Sequence, residues 1–506
     1  MEVSGERRVD PEPRAPYQAR AKGRLLVNCP QWGFLLAAAL LAGMAPARAA
    51  DSASPARLDT LERQLRDVQR QLADLKDAGN ANAQTLAQIR KDRANRHDRL
   101  TSRLAVLPRT ALDNGRLTVA SADGAFSLSL RSVVHFDAVY FAEGKNPPGV
   151  DLNSGTNLRR AQVTLAGTAW RDWSYNFTYE FGGLNTPRSG YIYRAYLQYD
   201  GLKPFAFRIG AFAPPSGLED ATGSNNIVFM ERASAPSIAR GLAGSGGREG
   251  VNIYAQGQRY FVSLAYTGGR TSDAAAFDEQ QGLVGRAAFL AADTEQLKWV
   301  VDANVTHVFK IADVAPGPNP PNTFSLSNGP ELATDAIRTV STGAVDAHKA
   351  TAFGFESAAT LDRFYAQGGW FHYSIARLAA PDPDFSGWYG LATFSLTGET
   401  RRYDASVAAF RNLQPAHPLG TPGGIGAWEA KARYSRINLD YQPGTAAASG
   451  GIKGGVQDVW SMGLNWYPTS GLRFMLEYDN IHVGHAGVPG GDISVDAIGF
   501  RSQISF

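Results

Sequence analysis

Arginine dominates the residues of this sequence that could do chemistry. Its guanidinium stays charged at any ordinary pH, and its planar fork donates paired hydrogen bonds to carboxylate or phosphate oxygens. Arg159 and Arg160 stand side by side, and Arg131, Arg194, Arg208, Arg286 and Arg433 recur at matching positions of segments that read as strands. Arg232, Arg240 and Arg248 fall in or close a long interval after Phe212, and Arg401, Arg402 and Arg411 fall in a second one after residue 397. Two chemistries suit such a set. The guanidinium groups could form a ladder that passes an anion along, or they could pair with carboxylates such as Asp137, Glu180, Glu356 and Glu429. Glu219 and Asp220 in the first long interval would oppose an anion there, and Ser224 could offer it a hydroxyl.

Enzyme chemistry finds little to work with. His135, His307, His348, His372, His417, His482 and His485 are scattered, and none sits in a nucleophile motif. His482 and His485 share a segment, but a metal would need a third ligand, for which Asp492 is the one nearby option. No glycine-rich loop precedes a helix, and nothing points to nucleic acid. No catalytic residue, metal or cofactor is expected.

The elements that position the arginines are strands. The chain ends Phe500-Arg501-Ser502-Gln503-Ile504-Ser505-Phe506, with Phe500, Ile504 and Phe506 on one parity and Arg501, Gln503 and Ser505 on the other. Such alternation gives one face for oil and one for water. Near 126–140, Phe126, Leu128, Leu130, Val134, Phe136 and Tyr140 take the lipid face while Arg131, His135 and Asp137 take the lumen. Tyr175, Phe177, Tyr179 and Phe181 continue the outward series, as do Tyr193, Leu197 and Tyr199. Counted to the end, the segments lie near 126–140, 158–169, 173–182, 191–200, 205–212, 250–257, 259–267, 282–291, 298–309, 352–361, 365–377, 386–397, 427–440, 456–467, 471–483 and 493–506. That is an even number, sixteen, as antiparallel closure of a bacterial barrel requires. The expected class is all-β: a transmembrane antiparallel barrel, since a closed barrel is the all-strand way to satisfy every backbone group inside a bilayer.

Links alternate between short turns and long loops, with one exception. The interval 398–426 falls where a short turn belongs, so it either breaks the count or folds back into the lumen. The interval after strand five is suspect for the same reason, because structureless loops that long are usually functional.

No apolar run reaches the roughly eighteen residues of a spanning helix. Gly33 to Ala45 is a shorter apolar stretch, with Arg20, Lys22 and Arg24 before it and Ala47-Arg48-Ala49 after it, so 1–49 reads as an N-terminal extension and a signal peptide. The single cysteine, Cys29, precedes that stretch, so the mature chain is expected to lack cysteine. Residues 50–116 read as a stalk and linker. Leu58, Leu61, Leu65, Val68, Leu72 and Leu75 follow heptad spacing, the seam of a parallel coiled coil. Gly79-Asn80 is expected to break the helix, with a weak restart at Leu86 and Ile89. The barrel domain is then 117–506.

Several stretches resemble the phosphate-selective porin O and P family. They include Leu158-Arg159-Arg160-Ala161, Trp173-Ser174-Tyr175-Asn176-Phe177, Phe207-Arg208-Ile209-Gly210 with Gly217-Leu218-Glu219, and Phe229-Met230-Glu231-Arg232-Ala233-Ser234. Further on come Gly387-Trp388-Tyr389, Gly426-Ala427-Trp428-Glu429, Arg433-Tyr434-Ser435 and Gly463-Leu464-Asn465-Trp466-Tyr467-Pro468. The resemblance implies a sixteen-stranded homotrimeric outer-membrane porin, with a periplasmic stalk, whose internal loops narrow an anion pathway. One of those loops enters from the periplasmic side. It also implies that Arg159 and Arg160 line the constriction. The expected partners are outer-membrane lipid, the barrel-assembly machinery acting on Phe506, and small anions such as phosphate.

The sequence departs from a strict phosphate pattern. From Leu117 to Phe506 there are 30 Lys+Arg against 34 Asp+Glu, so the barrel is net negative although the whole chain is +3. Where selective members would place a lysine and paired serines, this chain has Asp220, Gly223 and Ser224. A general or cation-preferring pore therefore stands as the alternative, with a rim hydrolase or a structural envelope barrel as readings of another class.

Overall fold

A computed structural model describes residues 55–506 apart from 114–115, 146–149, 185–189, 274–277, 314, 316–321, 333, 335 and 487–490. The proposed signal peptide and Cys29 lie outside the described residues. The described residues of the first unit, which ends at Asp98, all belong to one helix, α1, Pro55–Ala105, in which no side chain is buried. It runs straight through Gly79-Asn80, where a break was expected. A mid-helix glycine costs only about 1 kcal/mol, and Ala78, Ala81 and Ala83 around it are strong helix formers.

The second unit is a closed antiparallel barrel of sixteen strands. All sixteen expected segments are there, from Ser127–Lys145 to Ile493–Ser505. The last strand pairs with the first along its length, Val495 opposite Glu143 and Ser505 opposite Val133. Phe506 completes that seam: its N–H donates to the Ser132 carbonyl at 3.1 Å and its carbonyl accepts from the Ser132 N–H at 2.9 Å. Outward residues include Leu128, Leu130, Phe136, Tyr140, Leu197, Ile498 and Phe500, all exposed, whereas His135, Asp137, Arg501 and Gln503 on the opposite parity are buried inside.

A hairpin that the sequence did not announce precedes the barrel. Arg109–Asp113 pairs with Arg116–Ala120, and Leu117–Ala120 in turn pairs with Ser127–Leu130. It occupies the edge of the first strand that the shorter last strand leaves uncovered.

Two bulges correct the parity count. His135 stands opposite Arg160, but Phe136 stands opposite Leu158, so Arg159 is an extra residue. Likewise Thr178 faces Arg194 while Tyr179 faces Ile192, which makes Tyr193 extra. A bulge leaves one residue unpaired and re-aims its neighbours. Tyr193, expected on the lipid face, is therefore buried within, where its hydroxyl accepts from Arg240.

The outward parity carries a direct consequence. Leu264 is half exposed near the middle of Tyr260–Arg270. Leu264→Lys should destabilise the folded barrel by about 2–4 kcal/mol, the depth-dependent cost of a cation on the lipid face. Urea unfolding in lipid vesicles, against Leu264→Ala, measures it.

Candidate functional site

The link between Phe212 and Arg248 folds into the barrel. It carries two short helices, α2 (Leu218–Thr222) and α3 (Ser234–Ala243), and Leu218, Phe229, Met230, Ala233, Ala239 and Ala243 are almost wholly buried. Between the helices the backbone is irregular, so its carbonyls cannot be satisfied by helix or sheet. Wall side chains satisfy them instead. Gln503 donates to the Asn225 carbonyl at 3.0 Å, and Arg473 donates to Ile227 and Val228, both at 2.8 Å. Arg501 donates to the Met230 carbonyl, and Arg433 to that of Glu231 at 2.8 Å. Phe229 lies under Arg433 and Lys431, 4.3 and 4.7 Å from its ring centre.

The start of α2 is held from the other wall. Glu356 accepts from the N–H groups of Leu218 at 2.6 Å and Glu219 at 3.2 Å, and from the Tyr389 hydroxyl at 2.7 Å. Gly217 makes this possible: at φ +146° it adopts a conformation side chains disfavour, and a Cβ there would come within 2.4 Å of the Glu356 carboxylate.

The interval 396–426 enters from the short-turn end. Its tip forms a tiny hairpin, Tyr403–Asp404 with Ala409–Phe410, and Phe410 is fully buried. The two inserted segments meet. Arg401 donates to the Asn226 carbonyl at 3.2 Å, Arg411 to that of Thr222 at 3.4 Å, and the Asn412 N–H to Asn226 Oδ1 at 3.2 Å. A third link, 311–348, also reaches inside, where Glu331 is buried and pairs with Arg433 at 2.7 Å.

Most of the expected arginines have acidic partners. Arg159 grips Glu231 with two bonds of 2.7 and 3.0 Å, and Arg160 lies 3.4 Å from Glu180. Arg232 and Arg240 share Asp220, Arg286 pairs with Asp302, and Arg401 with Glu429. Arg501, which alternation placed on the water face but which was not singled out, binds Asp137 at 2.6 Å and Glu231 at 3.0 Å. Strict alternation would send Arg159 and Arg160 to opposite faces, so that Arg159 could reach the lumen only from a strand end. It does so from within the strand Gly155–Ala169, because the bulge turns both Arg159 and Arg160 inward.

A second group has no carboxylate within ion-pair distance among the described residues. Arg131 bonds Ser129, Arg194 lies over the Tyr193 ring, and Arg208 donates twice to Gln198 with Tyr196 stacked 4.3 Å away. Arg248 donates to the carbonyls of Gly244 and Gly268. With Arg270 and Arg338 it lines a cavity of about 830 Å³ above α3, which Asp273 and Glu279 also border. Ser224 is half-buried beside Asn225, whose side-chain oxygen lies 3.1 Å from His135 Nε2.

Two loop carboxylates are driven apart. Burial pushes Glu219 up to about 8, with Glu356 and Glu331 adding to the rise and Arg433 and Arg232 opposing it. Burial would also raise Asp220, but Arg240 and Arg232 hold it below the usual carboxylate range. Glu231 is likewise held far down: Arg159 and Arg501 outweigh its burial. Among the described residues no cluster of ligands could hold a metal ion.

Comparison with known proteins places this geometry. A family model described as "Phosphate-selective porin O and P" matches residues 128–506. Porin O of Pseudomonas aeruginosa is 25% identical over 419 residues, covering 78% of this chain and 91% of that protein. Among solved structures, an anion-selective porin from Comamonas acidovorans aligns with TM-score 0.46 and 11% identity, over 75% of this chain and 100% of that one. The trimer form of the outer-membrane protein OmpT of Vibrio cholerae aligns with TM-score 0.46 and 11% identity, over 76% and 100%.

Two measurements follow from the site. Arg501→Leu strands Asp137 and Glu231 without their shared partner, and should lower stability by ~3–5 kcal/mol. Loss of the folded band at lower temperature on gels reads it out. Glu219 is neutral below about pH 8 and charged above. Anion preference in a planar bilayer should therefore fall as pH rises from 7 to 9, and Glu219→Gln should flatten that profile.

Proposed function

The chain belongs to the phosphate-selective porin O and P family, and from that premise we propose that its outer-membrane pore passes small anions by passive diffusion. The throat lies between the two inserted segments, with Arg159 and Arg160 at its centre. Carrying the reading is the bulge that turns two consecutive guanidinium groups into one lumen, against the ordinary alternation of a strand. A charge in a narrow low-dielectric passage acts far more strongly than one in open water, so location outweighs the net negative count of the barrel. Arg232 lies in the inserted segment, and Arg248 with its two cavity neighbours gathers anions on the side of the long links. Arg131, Arg194 and Arg208, uncompensated by carboxylates, draw them onward. Asp220 serves as the anchor of Arg232 and Arg240 rather than as a free charge, Glu219 as a pH-dependent brake, and Ser224 as a hydroxyl at the throat.

The molecule is a channel rather than an enzyme. Its phosphate preference and assembly belong to the proposal. A homotrimer is supported by one low wall. The strands Trp173–Glu180, Tyr191–Tyr199, Phe205–Phe212 and Arg248–Gln256 have only 8, 9, 8 and 9 residues. Eight residues span about 26 Å along a strand. At the usual tilt that leaves roughly 20 Å of height, short of the ~25 Å apolar band. A neighbouring barrel would cover the shortfall. Residues 1–49 would direct export, α1 would stand in the periplasm with its leucine seam against two copies, and Phe506 would present the finished strand to the barrel-assembly machinery.

The extensive ion pairing favours a second reading, an unselective diffusion pore, and one experiment separates the two. In a salt gradient across a planar bilayer, the wild-type reversal potential should indicate anion preference. Arg160→Ala should shift it towards cations more than Arg171→Ala, since Arg171 lies in a short turn. Equal shifts, or a wild type without preference, would support the unselective pore. Block of chloride current by micromolar phosphate would mark phosphate as the preferred anion.

A further inference from the structure

The leucine seam of α1 does not stop where the leucines stop. Continued in the same three- and four-residue steps from Leu75, the register reaches Gly79, Asn82, Leu86 and Ile89, then Arg93, Arg96, Leu100 and Arg103. The helix is unbroken across all of them, and every one of these side chains is exposed in the single chain. Charge changes along with the seam. Residues 55–80 hold five basic and five acidic side chains, whereas residues 90–105 hold six basic (Arg90, Lys91, Arg93, Arg96, Arg99, Arg103) against Asp92 and Asp98. Asp98 falls at the outermost heptad position, and Asp92 accepts a bond from Gln88 of its own helix at 3.2 Å.

Resting on the trimeric stalk proposed above, we infer that the seam of residues 93–103 is a binding site for a small tetrahedral oxyanion on the threefold axis. Three copies of Arg93 and three of Arg96 form two rings of guanidinium groups separated by about 4.5 Å of helix rise. Six like charges at a coiled-coil core repel, and the surplus of four positive charges per chain leaves them uncompensated. A phosphate or sulfate ion answers both charge and symmetry. With one P–O or S–O bond along the axis it presents three equivalent oxygens, one to the fork of each chain. Each protomer supplies a third of the site, so it exists only in the assembly. Arg103 would continue the column below Leu100.

The stalk can be followed separately from the barrel because α1 carries most of the helix among the described residues, so the full-length detergent-solubilised protein serves. Helix ellipticity at 222 nm is melted in sodium phosphate and in sodium chloride of equal ionic strength. Phosphate should raise the stalk midpoint by about 5 °C or more, as any ligand bound only to the assembled form does. Arg93→Leu with Arg96→Leu should raise the midpoint in chloride and abolish the phosphate increment. Equal wild-type midpoints in the two salts would overturn the axial site, leaving the guanidinium groups extended to solvent. Leu61→Asp with Leu65→Asp and Leu72→Asp tests the underlying stalk. If that variant melts like the wild type, the trimeric stalk itself falls, and the axial site with it.

Discussion

Everything inside this barrel depends on how an irregular peptide backbone is kept satisfied away from regular structure. Residues 223–233 cross the lumen without helix or strand, and each buried carbonyl there needs a donor. The wall supplies donors of one dominant type. Arg473, Arg501 and Arg433 each reach a different carbonyl, while Glu356 and Glu477 accept from the opposite groups, the N–H of Leu218 and of Met230. An arginine suits this task because it keeps its charge when desolvated and spreads five donors over a plane. The loop is thus bolted at both polarities of its own backbone.

That constraint divides the arginines into two populations. Two of those bolting the loop also bind carboxylates, Arg501 on Asp137 and Arg433 on Glu331, whereas Arg473 spends its donors on the Ile227 and Val228 carbonyls. Arg131, Arg194, Arg208 and Arg248 have no carboxylate within ion-pair distance among the described residues and bond to neutral groups or lie over aromatic rings instead. Arg159 and Arg160 stand between the groups. Arg159 is bonded to the loop through Glu231, whereas Arg160 has only a long contact to Glu180. A count of lumen arginines therefore overstates the charge an ion would meet.

Strand positions were legible in the sequence because a lipid-facing wall and a wet interior impose a period of two on every strand. The same rule misled at Arg159 and Tyr193, where one inserted residue shifts everything beyond it and no local residue type announces the shift. The inward fold of 398–426 was readable as a violation of loop alternation. Glu331, by contrast, lies in a link whose composition has no period, and its place follows from its buried partners Arg433, Ser234 and Ser435. The hairpin over 109–120 was missed because two five-residue strands carry too short a pattern. At Gly79 the helix continues because the strong formers beside a single weak residue carry it through.

The seam between the last strand and the first also sets an order of events. Strands 127–145 and 493–505 are neighbours in space but sit at opposite ends of the domain. Until they pair, both strands are bare edges, ready to pair with any other chain. Contacts this distant in sequence form slowly, since loop closure must precede them. The seam is stitched along its length, from Ser494 opposite Lys145 to Ser505 opposite Val133, with the two Phe506 bonds to Ser132 at its end. Closure thus depends on two segments far apart in the chain finding each other: without the strand 493–505 the first strand keeps a bare edge, and an open sheet cannot hide its backbone from lipid.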